Sequence, residues 1–404
     1  MKRIGLEELR KILDAESVVE SSTEKTVKEI IEQVRQQGDK ALVYFTRKFD
    51  GVNQKSIKVT KKDIDDAKNN LDAKTLQAAR IAIKRVKRYH RCQMPSEFRM
   101  KEQGMSVEYR FVPVEKVGIY IPAGQAPLIS TIIMTAVPAM VAGVKKIYVA
   151  SPPSYVGNIH PGILGILGYL GIEDIFAVGG AHAIAAFAFG TQTVPQVDMV
   201  VGPGNKYVDT AKKILYGTVG IDLPAGPSEV TIFADSSANR DFIEADLLAQ
   251  AEHRGSKVFF ITSCEELGNE IGRKIPTGFW IYAKDRNQAL EVINYIAPEH
   301  LQLFCKNPQD MIEKSIAGAI FVGNESPSAL GDYFAGPSHV LPTGRTARFA
   351  SGLSVYTFLR TYAVIKADRS FYKKNSRFIE TLASIEGLSA HGLSLSLRRV
   401  SKNK

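Results

Sequence analysis

Gln250 and His253 stand three residues apart, at the end of a segment striped by Phe242, Ala245, Leu248 and Ala249 that starts near Asn239. On a helix that spacing projects both side chains from one face, where they can reach one bound atom. Arg254-Gly255 then stops the helix and leaves the pair at its C-terminal end. Four of the seven histidines, His253, His300, His339 and His391, lie in polar, turn-like settings, and Glu299, Asp332 and Glu386 accompany three of them within seven residues. A borderline metal such as zinc takes imidazole nitrogen together with carboxylate oxygen, and catalytic sites gather such ligands from separate segments. Each imidazole can equally satisfy a local backbone group, so the residues alone leave both readings open. Glu299-His300 has the side chains for general acid–base chemistry. Neighbours on a strand point to opposite faces, so a loop is needed to bring both to one site.

The elements that must hold these residues begin with the size of the chain. At 404 residues it exceeds one ordinary domain, and 45% apolar with 23% charged residues is the composition of a soluble globular protein. The charged start, Met1-Lys-Arg-Ile-Gly-Leu-Glu-Glu, is not a signal peptide. The most apolar run, Leu128 to Val144, is interrupted by Ser130, Thr131 and Pro138 and reads as a buried helix, not a membrane span. Cys92, Cys264 and Cys305 have no Cys-x-x-Cys spacing, which points away from disulfides and thiolate zinc and towards a reducing cytoplasm. The net charge of +10 favours anionic small molecules. Nucleic-acid binding needs clustered basic residues with interleaved aromatics, and here only Arg398-Arg399 and Lys402-Asn-Lys404 form a basic end.

Residues 22–50 carry a helical period (Val27, Ile30, Ile31, Val34), and helices follow from about 60 to 67 and up to His90. His90 and His160 read as surface residues. Ser106–Val112 alternates like a strand. From Val117 onward, strands 117–121, 146–150, 174–178 and 198–201 alternate with helices near 130–142, 160–170, 181–189 and 205–215. This rhythm predicts a parallel sheet of βαβ units whose ligand lies outside the carboxyl ends of the strands, at Pro122-Ala-Gly124, Gly179-Gly180 and Gly202-Pro-Gly-Asn205. A nucleotide fits there, although neither Gly-x-Gly-x-x-Gly nor a P-loop is present. A second α/β section places strands at 229–233, 257–262, 279–282, 301–304 and 319–322. From about Ser354 the chain reads as helical to Gly387, followed by an alternating tail from Ser394 to Val400.

Taken in order, Val117-Gly-Ile-Tyr-Ile-Pro-Ala-Gly-Gln-Ala-Pro127, Val178-Gly-Gly-Ala-His182, Val201-Gly-Pro-Gly-Asn205, Ala225-Gly-Pro-Ser-Glu229, Gln250-Ala-Glu-His253, Ala297-Pro-Glu-His-Leu301, Gly331-Asp-Tyr333, Ser338-His-Val-Leu-Pro342, Ser351-Gly-Leu-Ser354 and Ala390-His391 resemble the histidinol dehydrogenase family over nearly the whole chain. The resemblance implies a zinc- and NAD-dependent enzyme of the cytoplasm that oxidises L-histidinol to L-histidine through a retained aldehyde, with two NAD+. It implies one zinc per subunit, held by Gln250, His253, Asp332 and His391. His300 would take the alcohol proton and Glu299 would activate the water that adds to the aldehyde. Ser228, His339 and Glu386 would lie against the substrate with His300 and the zinc ligands, and Tyr120, His182 and Asn205 would line the NAD site.

Three departures from the family pattern stand out: His182 in place of the usual Gln, Ala123 in place of a Gly, and a shortened stretch between Thr262 and Pro298. The implied architecture is two Rossmann-like parallel-sheet domains without the dinucleotide fingerprint. An arm covers residues 1–20. Residues 21–116 with 230–353 form a first domain carrying most of the zinc and catalytic site, and 117–229 a second that binds NAD. Residues 354–404 form a helical tail that crosses to the other subunit of a homodimer and completes its site. The competing readings are a relative acting on another amino alcohol, or a zinc- and nucleotide-binding protein without activity. Retention of both Glu299 and His300 speaks for an enzyme.

Overall fold

The computed structural model describes residues 1–16, 21–54, 56–123, 127–224, 226–252 and 255–400. Its residues divide into two compact units, Met1–Gln93 with Val114–Phe358 and Met94–Pro113 with Leu359–Lys404. The first unit contains two parallel sheets. One takes β4 (Lys116–Tyr120), β5 (Lys146–Ser151), β6 (Ile175–Ala177), β7 (Met199–Val201) and β8 (Gly220–Ile221) in the order β6-β5-β4-β7-β8. The other takes β1 (Lys2–Arg3), β9 (Glu229–Ala234), β10 (Lys257–Thr262), β11 (Phe279–Tyr282), β12 (His300–Phe304) and β13 (Ala319–Val322) in the order β1-β11-β10-β9-β12-β13. The α/β rhythm of the sequence is therefore present as expected. Lys2–Arg3, too short to announce itself as a strand, is added in parallel to β11.

Alternation along the strands explains the layers. On the six-stranded sheet, Phe233, Phe259, Ile261 and Leu303 face helices Leu6–Glu16 and Arg286–Ile296. Val230, Ile232, Val258 and Phe260 face the opposite way, towards helices Arg240–Ala251 and Glu265–Lys274. Helix Ile129–Ala142, the most apolar run of the sequence, is buried along most of its length. No helix among the described residues is long and apolar enough to cross a membrane. Helices Ser21–Gln37 and Asp39–Asp50 bring Val27, Ile30, Val34, Leu42 and Phe45 into one core with Phe176 and Phe187. They cover the five-stranded sheet, not the sheet of residues 230–353 with which the sequence reading groups them.

The second unit departs from the sequence reading in two places. Leu359–Ala367, read as helical, is strand β14, and it pairs antiparallel along its length with β3 (Met105–Pro113), which also pairs with β2 (Phe98–Glu102). Nine backbone registers with β3 outweigh the weak helical period of the segment. The alternating tail is instead part of helix Ser389–Val400, packed on helix Arg369–Ile385 with Arg399 Nη1 3.3 Å from Glu380 Oε1. His90 corrects a further expectation. It is buried, with Nδ1 2.7 Å from Gln93 Oε1, and burial lowers its pKa. His160 is half-buried and caps helix Pro161–Tyr169, Nδ1 accepting from the Gly162 N–H at 3.0 Å.

Candidate active site

Glu299 and His300 share one site because they straddle a strand boundary. Helix Arg286–Ile296 ends at Ala297 in the left-handed region (φ 44°), Pro298 prevents its continuation, and His300 is the first residue of β12. Glu299 is thus still a loop residue, free of the strand's alternation, and its Oε2 comes within 3.6 Å of His300 Nδ1. Both are nearly enclosed, at 7% and 4% exposure. Glu299 Oε2 accepts hydrogen bonds from Ser228 Oγ (2.7 Å) and the Glu229 N–H (2.9 Å). Burial pushes the Glu299 carboxyl above its ordinary range, against the pull of His300 and those two donors. His300 Nδ1 lies 3.2 Å from the Glu229 carbonyl oxygen, which can only accept. Nδ1 therefore carries the hydrogen and Nε2 is left as the proton acceptor.

Asp332 approaches that Nε2, with Oδ1 at 3.9 Å. Its helix, Ser328–Tyr333, can sit this close because Gly331 lies on the Phe321 ring, where an added Cβ would be 2.7 Å from the nearest ring carbon. Phe321 in turn packs against the His300 ring. His339 Nδ1 donates to the Asp332 carbonyl at 3.2 Å, and its Nε2 is 3.5 Å from Thr131 Oγ1 on the helix of the five-stranded sheet. Helix Arg240–Ala251 runs antiparallel to β12. Asp246 Oδ2 accepts from Gln302 Nε2 at 3.0 Å, so Gln250, one turn further along the same face, is carried towards the His300 end of that strand. Gln250 is buried, and its Nε2 has no hydrogen-bond partner among the described residues.

The expected cofactor residues occupy the opposite kind of edge, the carboxyl ends of β4, β6 and β7. Tyr120 closes β4, its ring is buried, and its hydroxyl accepts the Gly180 N–H at 3.1 Å, capping helix Gly180–Phe189. Burial raises the phenol to about 12. Asn205 is exposed and caps helix Lys206–Leu215, Oδ1 accepting from Tyr207 N (3.0 Å) and Val208 N (3.2 Å). His182 faces inward, against the stacked Phe45 and Phe49 rings and with Nε2 3.5 Å from Thr46 Oγ1. Burial lowers its pKa to about 3, so it is a neutral ring whose Nδ1 has no partner among the described residues. Ala123 is buried, and Ser154 Oγ donates to its carbonyl.

Of the four expected zinc ligands, Gln250 and Asp332 stand on helices that pack together, and His253 lies outside the described residues. His391 and Glu386 belong to the second unit, exposed on either side of Gly387-Leu388, where Glu386 caps helix Arg369–Ile385. Among the described residues no three His, Cys, Asp or Glu side chains are grouped to hold a metal. The donor types of the two described ligands suit zinc through oxygen, the carboxylate of Asp332 and the carboxamide oxygen of Gln250, whereas the orphaned Gln250 Nε2 is a hydrogen donor and no ligand. Ser228, Glu299, His300, Asp332 and His339 are brought together by the first unit alone. Glu229 and Thr131 join them, and the sequence reading missed both. Glu229 is buried at the start of β9, its Oε1 accepting from the Gly344 N–H at 3.1 Å and lying 3.7 Å from Lys257 Nζ. Its one sequence signal, a carboxylate opening an otherwise apolar strand, was available.

A family model described as histidinol dehydrogenase matches residues 13–399. The chain is 41% identical over 404 residues to histidinol dehydrogenase of Synechococcus sp., covering 94% of this chain and 93% of that one. It is 40% identical over 426 residues to histidinol dehydrogenase of Oceanobacillus iheyensis, covering all of both. The crystal structure of histidinol dehydrogenase from Elizabethkingia anophelis has the same fold, with a TM-score of 0.91 at 33% identity over 98% of this chain and 97% of that one. The chain belongs to the histidinol dehydrogenase family.

Proposed function

We propose that the protein oxidises L-histidinol to L-histidine through L-histidinaldehyde, using two NAD+ and one zinc per subunit, as a homodimeric enzyme of the cytoplasm. The observation that carries this is the juxtaposition of Glu299 and His300 on one buried edge. When bound, NAD accepts the hydride of each oxidation and zinc holds the imidazole and amine of the substrate. Gln250, His253, Asp332 and His391 would hold the zinc, and Tyr120, His182 and Asn205 would border the NAD.

The proton chemistry belongs to the protein. His300 Nε2, the acceptor once Nδ1–H is committed to the Glu229 carbonyl, takes the alcohol proton as the first hydride leaves. Glu299 then draws a proton from the water that adds to the aldehyde. Its buried carboxyl, raised above the ordinary range, is a stronger base when ionised than one in water. Ser228 and the Glu229 N–H keep its Oε2 in place. Ser228, His339 and Glu386 would lie against the substrate, and the enclosure of the pair keeps bulk water from competing with the one that reacts. The dimeric part of the reading draws on the second unit. There Phe378, Leu382 and Ile385 line one side of helix Arg369–Ile385 at helical spacing, yet are 62% to 79% exposed. An apolar stripe of that size suits docking on a second copy, which would let the tail of one subunit complete the site of the other.

The test is NADH formation from histidinol. Two NADH per histidinol are expected, with loss on chelation and recovery on adding zinc. Turnover of other amino alcohols but not histidinol would overturn the substrate, and activity unchanged by chelation would overturn the metal.

A further inference from the structure

We infer that the buried ion pair between Lys212 and Asp222 is a positioning device that holds the turn Gly202–Asn205 in its cofactor-binding shape before any cofactor arrives. This deepens the NAD reading above and rests on it. Both side chains are completely enclosed, and the Lys212 ammonium contacts Asp222 Oδ1. Between them they hold both backbone groups of one residue. Lys212 Nζ donates to the Gly202 carbonyl at 3.0 Å, and Asp222 Oδ2 accepts the Gly202 N–H at 2.8 Å. Gly202 needs such a clamp. It sits at φ 115°, and an added Cβ would lie 2.2 Å from the Tyr120 carbonyl oxygen. A residue pressed against Tyr120 in a conformation open mainly to glycine has many alternatives when unheld. Three residues further on, Asn205 caps helix Lys206–Leu215, and Lys212 stands on that same helix. The clamp thus joins the turn, the helix it opens and the residue next to Tyr120 into one rigid piece.

Asp222 Oδ1 also accepts the N–H of its own next residue, Leu223, at 2.8 Å. Fold stability alone does not call for charges here, since isosteric uncharged side chains commonly replace a buried ion pair at no loss of stability. What they cannot replace is an ammonium and a carboxylate aimed at the carbonyl and N–H of one glycine.

Removing either partner alone would strand a buried charge, so the informative variant is Lys212→Met together with Asp222→Asn. We expect it to fold, with calorimetric affinity for NAD+ weakened by at least about tenfold, roughly the loss of one well-placed hydrogen bond. KM for NAD+ should rise in parallel, while KM for histidinol changes little. A folded double variant that binds NAD+ as tightly as the unaltered protein would overturn the inference. A second measurement needs no variant: amide hydrogen exchange of the NAD-free protein. There the Gly202 N–H should exchange only through global unfolding, and exchange at the rate of an exposed loop would equally overturn it. If the unaltered protein shows no binding of NAD+ by calorimetry, the NAD reading fails instead, and the exchange result still judges the clamp.

Discussion

The two parallel sheets of the first unit use opposite edges and fill them with opposite chemistry. At the carboxyl ends of the five-stranded sheet stand glycine turns, a phenol raised to about 12 and an imidazole lowered to about 3, so Tyr120 and His182 are both uncharged at neutral pH. At the amino ends of the six-stranded sheet stand Glu299, His300, Glu229 and, just beyond, Asp332 and His339. The rule that ligands lie at carboxyl ends describes the first edge and says nothing of the second. The contrast has a chemical sense under the proposed function. A dinucleotide brings its own charge and its own redox chemistry, so its edge needs shape and N–H groups. A substrate that must lose protons and take up water needs titratable side chains.

The strongest way to break this comparison is to remove the proton acceptor. His300→Asn should lower kcat for the oxidation of histidinol by roughly a hundred- to ten-thousandfold, with calorimetric NAD+ affinity unchanged. Glu299→Gln should be selective: single-turnover NADH from histidinol survives in part, while supplied histidinaldehyde is oxidised poorly. Equal damage to both half-reactions would merge the two roles and remove the division of labour on that edge.

Complementation is the next largest effect, and it asks whether the titratable edge is finished within one chain. If the tail carrying His391 completes the site of the other subunit, His300→Asn and His391→Asn put their defects in different halves of a shared site. Unfolded together, mixed and refolded with zinc, about half the dimers are mixed and about a quarter of all sites recover. Mixed dimers demonstrated by mass but without activity would mean that each chain builds its own site.

A third change acts only on geometry. Gly331→Ala places a methyl against Phe321, and overpacking of this kind costs about 1–3 kcal/mol. Moving helix Ser328–Tyr333 outward carries Asp332 away from His300 Nε2. KM for histidinol should rise about tenfold if that contact is worth about one hydrogen bond, and KM for NAD+ should stay as it was. A change in both would mean that the two edges are not separable in this way.

How far such a site was legible depended on which physical signal marked each part. The strands of both sheets are short apolar runs bounded by Gly and Pro, and β4 to β7 and β9 to β13 lie where that pattern puts them. Leu359–Ala367 was missed because its partner, β3, lies some 250 residues earlier, and pairing at that distance leaves no local period. His90 was misjudged although it follows Val86 by four residues on the buried stripe of Ala79, Ala82 and Val86, because a polar imidazole near a helix end reads as solvent-facing. Glu299 and His300 were legible as types but not as neighbours, since their meeting depends on Ala297 adopting a left-handed turn unusual for a residue with a Cβ. Lys212 and Asp222 were invisible. In the sequence they are two ordinary charges, and only the fold shows that both point at Gly202.

The smallest expected effect concerns Asp50, whose charge is felt by Tyr120 on the neutral edge. Asp50 ends helix Asp39–Asp50, half-buried, with an Oδ2 that has no hydrogen-bond partner among the described residues. Burial raises its carboxyl from 3.8 to about 6. Because the folded pKa lies above the unfolded one, the proton binds more tightly to the folded chain. The stability this contributes is fully present below about 3.8 and is lost as pH rises through about 6. Above that, the fold carries a carboxylate it solvates poorly. Asp50→Asn has no such proton to lose. Against the unaltered protein it should be equally stable near pH 4 and more stable at pH 7.5. A shift of this size in a fully buried group is worth about 3 kcal/mol; with solvent screening a half-buried one, about 1–2 kcal/mol is expected. Urea unfolding at a series of pH values measures it, and the gap should open between pH 4 and 6. A gap of constant size at every pH would place the effect in packing instead of charge. An aspartate form that is the more stable at pH 7.5 would mean that the edge holds a negative charge after all, and the contrast between the two sheets would lose its electrostatic half.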